Sequence, residues 1–256
     1  MKILNVAIVF CVGVLGFLLL SVSRNGSVKD DSVLIVGTSP DYPPYEFVDM
    51  ATGQIIGFDI DVVTEVAARL NKKIVIKEMS FASLIFGLLS GDIDLIAAGM
   101  SPTPRRAKFV SFSEKYLDSD LYVIVTLKDH FQPKSLQELK NKDVVVNTGY
   151  TAEAYLDQQD IGIRLTRLRT PAEALIALQS GSVDAFVCAL STAQAMITRI
   201  GIADNFYLLE LPNTGDDCAF ALSKQAEALT KKINKALASM HADGTLDCLK
   251  EKWKLL

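Results

Sequence analysis

The chain has little of what most reaction centres are built from. Its two histidines, His130 and His241, stand far apart in polar contexts, and neither has a Cys or His at metal-ligand spacing. Its four cysteines are too widely spaced for a metal site. Cys188 and Cys218 fall inside apolar runs, where a thiol reads as a small buried hydrophobe. A Gly-x-Ser-x-Gly elbow, a phosphate-binding loop and a His-Glu metal helix are all absent. So is any basic cluster: 26 Lys and Arg are scattered among 30 Asp and Glu, which argues against a nucleic-acid partner. These absences leave no cofactor or metal to assign.

Long hydrophobic runs are also scarce, with one exception. Behind Lys2 the chain is apolar from Val6 to Leu20 except for glycines, and it ends in the small-residue pattern Ser21-Val22-Ser23. This reads as a signal peptide over residues 1–23, cut after Ser23. Left uncut, Ile3 to Leu20 would nearly reach the length of a membrane anchor. Cys11 lies mid-run behind the bulky Phe10 and does not resemble a lipid-acceptor cysteine. Cleavage would remove one Lys and no acid, so the full-length net charge of −4 becomes more negative by one. It would also leave Cys188, Cys218 and Cys248, an odd count, so at least one thiol stays unpaired. The expected location is the periplasm.

What is present in quantity is apolar sequence, half of the residues, enough for one large domain or two small lobes. After the polar linker RNGSVKDD, the run VLIVGTS reads as a buried strand, GFDIDVVTEVAARLNKK as an amphipathic helix and KIVIKEM as a strand. FASLIFGLLSG reads as a helix stopped by Gly, followed by the strand DIDLIAAG. A second pass, DVVVNTG, TAEAYLDQQ, IRLTRL, PAEALIALQSG and VDAFVCA, repeats the same β-α-β-α-β order. Each pass predicts a largely parallel sheet flanked by helices. The phrase SGDIDLIAAGMS from Ser90 recurs as SGSVDAFVCALS from Ser180, so one supersecondary unit occupies the same place in both halves. Two extended stretches, YLDSDLYVIVTLKD and FYLLELP, would connect two lobes around a cleft.

Ligands of open parallel sheets sit beyond the carboxyl ends of the strands. In GMSPTPRRAKF, Thr103 can cap a helix with Pro104 in its first position. Ser101, main-chain N–H groups and Arg106 then suit a carboxylate, although the motif taken alone better fits an exposed arginine that caps nothing. In NTGYTAEAY, Gly149 permits a tight turn and Thr151 can cap the next helix, a second place for an anion. DYPPYEF sets aromatic rings around two prolines, with Tyr42 the ligand candidate and Tyr45 and Phe47 expected to pack inward. The paired acids Asp59/Asp61 and Asp92/Asp94 read as helix caps and turn residues.

Together, VGTSPDYPPYEF, GFDIDVVTEVAARL, LLSGDIDLIAAGMSPTPRRAKFVSFSEKYL, VVVNTGYTAEAYL and ALASMHADGTLDCLKEKW resemble the extracytoplasmic solute-binding proteins of ABC importers, in particular the polar amino-acid family. The likeness spans roughly residues 32–254. It implies a type II two-lobed α/β fold with a two-strand hinge, each lobe a mostly parallel sheet flanked by helices. Lobe 1 would comprise 28–118 and 212–256 and lobe 2 119–211, with hinges near 117–124 and 207–213. It implies a monomer that binds a free amino acid and serves a membrane permease, with no catalysis. By the same resemblance Arg106 takes the ligand's α-carboxylate, with Ser101 and the Thr151 helix start as helpers. Tyr42 and Phe81 sandwich the side chain, and the Gly99 carbonyl meets the α-ammonium.

The family's ammonium-binding aspartate aligns with Ala189 here, so either another acid substitutes, with Asp216 or Asp217 in TGDDCAF as candidates, or the ammonium is held more weakly. Tyr42 and Phe81, with Asp41 and Ser39 nearby, suit a planar cation. Arginine is therefore expected ahead of lysine, ornithine, histidine, glutamine and cystine. The competing readings are an enzyme on the same scaffold, similar to cyclohexadienyl dehydratases, and an anchored surface receptor or adhesion protein.

Overall fold

A computed structural model describes residues 31–255; the signal peptide expected over residues 1–23 lies outside the described residues. In chain order the first half contains β1 (Val33–Thr38), β2 (Asp41–Tyr42), β3 (Glu46–Val48) and β4 (Ile55–Ile56). Then come α1 (Phe58–Arg69), β5 (Lys73–Glu78), α2 (Phe81–Ser90), β6 (Leu95–Ile96), α3 (Pro104–Ala107) and β7 (Val110–Phe112). The second half contains β8 (Leu117–Leu127), β9 (Asp143–Asn147), α4 (Thr151–Asp157), β10 (Arg164–Leu168), α5 (Pro171–Gln179), β11 (Ala185–Ala189) and α6 (Leu190–Ile200). The chain ends with β12 (Phe206–Cys218), β13 (Ala221–Ser223), α7 (Glu227–Ala242) and α8 (Thr245–Trp253).

Two five-stranded sheets result, ordered β5-β1-β6-β13-β7 and β10-β9-β11-β8-β12. In each, one strand opposes the rest: β13 in the first and β8 in the second. This is the two-lobed α/β fold with mostly parallel sheets that the repeated order predicted. Alternate residues of the second sheet face opposite ways. Val123, Val125, Val145 and Phe186 pack on α5 and α6 through Ala174, Leu178, Ala193 and Ile197. Ile124, Val144, Val146 and Val187 pack on α4 through Ala152 and Leu156. Burial on both faces explains why these strands read as unbroken apolar runs.

The recurring phrase has a common physical task. In the first copy, Asp94 donates its N–H to the Ile35 carbonyl at 2.7 Å, and its Oδ2 accepts from the Ile35 N–H at 2.9 Å. In the second, Asp184 donates to the Asp143 carbonyl at 2.7 Å, and its Oδ2 accepts from the Asp143 N–H at 2.8 Å. The repeated aspartate thus locks the register of the neighbouring parallel strand in both lobes.

The longest strands, β8 and β12, pair antiparallel from Leu127–Phe206 to Leu117–Cys218, with irregularities on either side of Asp216. At the far end their pairing continues toward the first sheet: Tyr116 N–H donates to Cys218 and Ser113 N–H to Phe220, both at 2.9 Å. The loop DYPPYEF is not merely a rigid turn. It forms β2 and β3, which join β4 in a small antiparallel sheet. The carbonyls of Pro44 and Tyr45 accept from the N–H groups of Phe58 and Asp59, each at 2.9 Å, and so satisfy the first turn of α1. Gly57 sits between them at φ 142°, where an added Cβ would lie 2.1 Å from the Tyr45 carbonyl oxygen.

Candidate functional site

Beyond the end of β6 the chain turns sharply into α3. Thr103 Oγ1 accepts from the Arg106 N–H at 3.2 Å and Pro104 opens the helix, the capping arrangement predicted from GMSPTPRR. The cap turns Arg106 inward, where it is buried. Its Nη1 donates to the Ser101 carbonyl at 2.8 Å and its Nη2 to the Gly149 carbonyl at 2.9 Å, so one guanidinium joins the two halves of the chain. The guanidinium carbon stands 5.3 Å from the centre of the Phe81 ring. Burial pulls the Arg106 pKa down, opposed first by the charge of Asp216.

Asp216 is the hub of the site. Its Oδ1 accepts from Ser101 Oγ at 2.9 Å and from Tyr122 OH at 3.0 Å, and its Oδ2 from Thr151 Oγ1 at 2.5 Å. Burial pushes its pKa up, while the three hydroxyls and Arg106 favour the charged form. The neighbouring acid points away: Asp217 forms a 2.6 Å ion pair with Lys115 and accepts from the Ser119 N–H. Of the two candidates in TGDDCAF, only Asp216 faces the other site residues. Asp216 and Ala189 line one cavity of about 10 Å³, together with Tyr42, Asn147 and Tyr150. Thr151 departs from expectation. The N-cap of α4 is Tyr150, and the Thr151 hydroxyl donates to Asp216 instead of capping the helix. A carboxylate within reach is a better acceptor than any alternative partner for that hydroxyl.

The aromatic groups cluster beside these two charges. Tyr42 stacks on Tyr45 with ring centres 5.2 Å apart, and both are buried. Tyr45 packs inward as predicted, while Phe47 is only partly buried, under the guanidinium of Arg199 at 4.5 Å. Gly99 donates its N–H to Asp59 Oδ2 at 2.8 Å and runs so close to Tyr42 that an added Cβ would meet the ring at 2.9 Å. Phe81, at the start of α2, does not stack on Tyr42; Tyr150 lies between them, stacked on Phe81 at 4.5 Å and edge-on to Tyr42 at 5.0 Å. Ser39 and Asp41 pair with each other at 3.2 Å, apart from the hydroxyl cluster on Asp216.

Several site residues lay outside the sequence reading: Tyr122, Tyr150, Asp120 and Ser191. Asp120 accepts from Tyr45 OH and from the Ser191 N–H at 3.2 Å, and Ser191 Oγ lies 2.6 Å from the same carboxylate. Asp59, expected to be a helix cap, is instead fully buried, accepting from Gly99 N–H and from Tyr116 OH at 2.7 Å. Among the described residues no group of His, Cys, Asp and Glu could hold a metal ion, and no helix is long and apolar enough to cross a membrane.

A two-lobed α/β body joined by two paired strands, with a buried arginine and a partly buried aspartate tied to residues of both halves, defines a solute-binding protein. The chain belongs to the bacterial extracellular solute-binding proteins, family 3, which it matches over residues 34–255. It is 32% identical over 233 residues to the arginine-binding extracellular protein ArtP of Bacillus subtilis (strain 168), covering 90% of this chain and 89% of ArtP. It is equally 32% identical, over 231 residues, to the L-cystine-binding protein TcyA of the same organism, covering 89% and 83% of the two chains. A solved structure of an ancestral arginine-binding protein bound to arginine matches with a TM-score of 0.81 and 37% identity, covering 87% of this chain and 98% of that one. The family is the one its motifs resembled.

Proposed function

We propose that the chain is an exported receptor that captures a free amino acid between its lobes and delivers it to a membrane ABC permease, with L-arginine the preferred ligand. The placing of Arg106 and Asp216 on the two sides of Ser101 carries this reading. A buried cation and a partly buried anion both engage Ser101, one through its carbonyl and one through its hydroxyl. An amino acid presents a carboxylate and an ammonium on one carbon, and these two side chains offer the complementary charges. Arg106, helped by Ser101 and the Thr151 helix start, takes the carboxylate; Asp216 and the Gly99 carbonyl take the ammonium. Tyr42 and Phe81 face the side chain, with Asp41 and Ser39 placed for a cationic end.

Aromatic faces with a carboxylate favour guanidinium over ammonium. Relatives named for arginine support that choice, and one named for cystine at equal identity weighs against it. Closure would bend the paired connectors near 117–124 and 207–213 and bring residues 28–118 with 212–256 onto residues 119–211. Removal of residues 1–23 on export, a periplasmic location and a monomeric state complete the proposal. Thermal unfolding with each of the common amino acids tests it. Arginine should raise Tm most and be recovered unchanged after hours with the protein. Stabilisation by glutamine or cystine but not arginine would refute the ligand, consumption of the ligand would refute a receptor without chemistry, and no shift with any amino acid would refute the function.

A further inference from the structure

The gap between Tyr42 and Phe81 is filled by a side chain of the protein itself. Tyr150 stacks on Phe81 at 4.5 Å with 26° between ring planes and meets Tyr42 edge-on at 5.0 Å. Its ring is held by good aromatic geometry, yet its hydroxyl is buried with no hydrogen-bond partner. A phenol in that position has lost its hydrogen bonds to water and gained none in return. The residue before it is tied to the charged end of the site, because the Gly149 carbonyl accepts from Arg106 Nη2 at 2.9 Å.

We propose that Tyr150 is a displaceable plug in the aromatic slot, released when a carboxylate takes Arg106 from the Gly149 carbonyl. A charged carboxylate is a stronger acceptor for a guanidinium than a neutral main-chain carbonyl. Its arrival frees the Gly149–Tyr150 turn, the ring swings out of the slot, its hydroxyl reaches water, and the ligand side chain takes its place. This inference rests on the amino-acid reading of the cleft but not on arginine as the ligand. Two consequences follow. Recognition of the ligand's carboxylate and admission of its side chain are one coupled event. Every ligand is also bound against the population of the plugged form, so side chains that restore stacking on Tyr42 and Phe81 are selected.

Titration calorimetry on the full chain tests the plug with L-arginine, L-glutamine and L-cystine, and with agmatine, which is arginine without its carboxylate. Tyr150→Ala should bind the amino acid preferred by the wild type about tenfold more tightly, and agmatine should gain by a larger factor because it no longer needs to release the ring. Tyr150→Phe keeps the ring and removes the unpartnered hydroxyl, so its plug seats better and the same ligand should bind several-fold more weakly. A misfolded variant cannot produce these opposite signs. If the wild type binds an amino acid and Tyr150→Ala binds it equally or less tightly, Tyr150 is a fixed wall and the plug is overturned while the receptor reading stands. If neither the wild type nor either variant binds any of the amino acids, the receptor reading falls and the plug falls with it.

Discussion

Asp216 and Ala189 line the same small cavity, one on the returning connector β12 and the other at the end of β11. The strand that repeats the phrase of the first lobe ends in a methyl group, and a carboxylate reaches the same space from a neighbouring element. In the proposed role Asp216 holds the ammonium. Asp216→Asn, which keeps the shape and removes the charge, should weaken amino-acid binding by about 2 kcal/mol. It should leave 5-guanidinopentanoic acid, which lacks the ammonium, nearly unaffected. Equal losses for both compounds by calorimetry would remove Asp216 from that role.

Arg106 should be the more sensitive position. Its removal leaves Asp216 buried without the opposite charge and takes away the carboxylate's partner. Arg106→Ala is expected to weaken binding by about 3–5 kcal/mol. Arg106→Lys should recover only a small part, since a single ammonium cannot hold a carboxylate with two parallel bonds. Dissociation constants for the two variants, with circular dichroism to verify folding, check this.

Asp59 makes stability depend on pH. Burial raises its pKa from 3.8 to about 6, against the hydrogen bonds from Tyr116 and Gly99. The adjacent Glu46, buried with neither oxygen hydrogen-bonded, is pushed in the same direction. A raised carboxyl pKa means that the folded chain holds a proton the unfolded chain has already released. The contribution of Asp59 is therefore fully present below pH 3.8 and declines as pH rises to about 6, by roughly 3 kcal/mol. Between pH 4 and 6.5 the wild type should lose Tm relative to Asp59→Asn; parallel curves for the two proteins would show that Asp59 takes up no proton on folding.

Tyr45 offers a test of closure separate from ligand contact. Its hydroxyl bonds to Asp120, and Ser191 Oγ lies 3.0 Å from it, so the β2–β3 hairpin is fastened to the start of α6. Tyr45→Phe should weaken every ligand by the same factor, about fivefold for one hydrogen bond. Substitutions of Tyr42 should change the ranking of ligands instead. A ligand-dependent effect of Tyr45→Phe would place its hydroxyl in the binding site proper.

Gly57→Ala should be among the most damaging single changes outside the site. Its φ of 142° is open essentially to glycine alone, and the new Cβ would lie 2.1 Å from a main-chain oxygen that cannot move without breaking the start of α1. A loss of about 3 kcal/mol, or roughly 6–12 °C in Tm, is expected in a thermal melt.

The alternating order of strands and helices was legible because each element carries its own punctuation: Thr103 and Pro104 open α3, Gly91 closes α2, and buried parallel strands are apolar throughout. The partners of the acids were not legible. Asp59 and Asp61 sit two residues apart on one helix, yet one is buried under Tyr116 and the other accepts from Trp253 Nε1 at 2.7 Å. Nothing local separates them; the decision belongs to elements far away in sequence. Tyr150 was hidden for a similar reason. At a helix start after a glycine its ring is placed by Phe81 and Tyr42, side chains from the other half of the chain. Asp216 could be named only as one of two neighbours, and the alternation of β12 decided between them.

Asp216 has one further consequence because of where it is mounted. It lies on β12 directly opposite Asp120 of β8, within the pair of strands about which the halves would turn. A point near a pivot travels least while the arms of the lever sweep through their arc. The carboxylate would therefore stay almost stationary throughout the stroke, seated with Ser101 while Thr151 approaches it from the opposite arm. Such an arrangement would keep the seat for the ligand's nitrogen at a fixed place while the arms open and close.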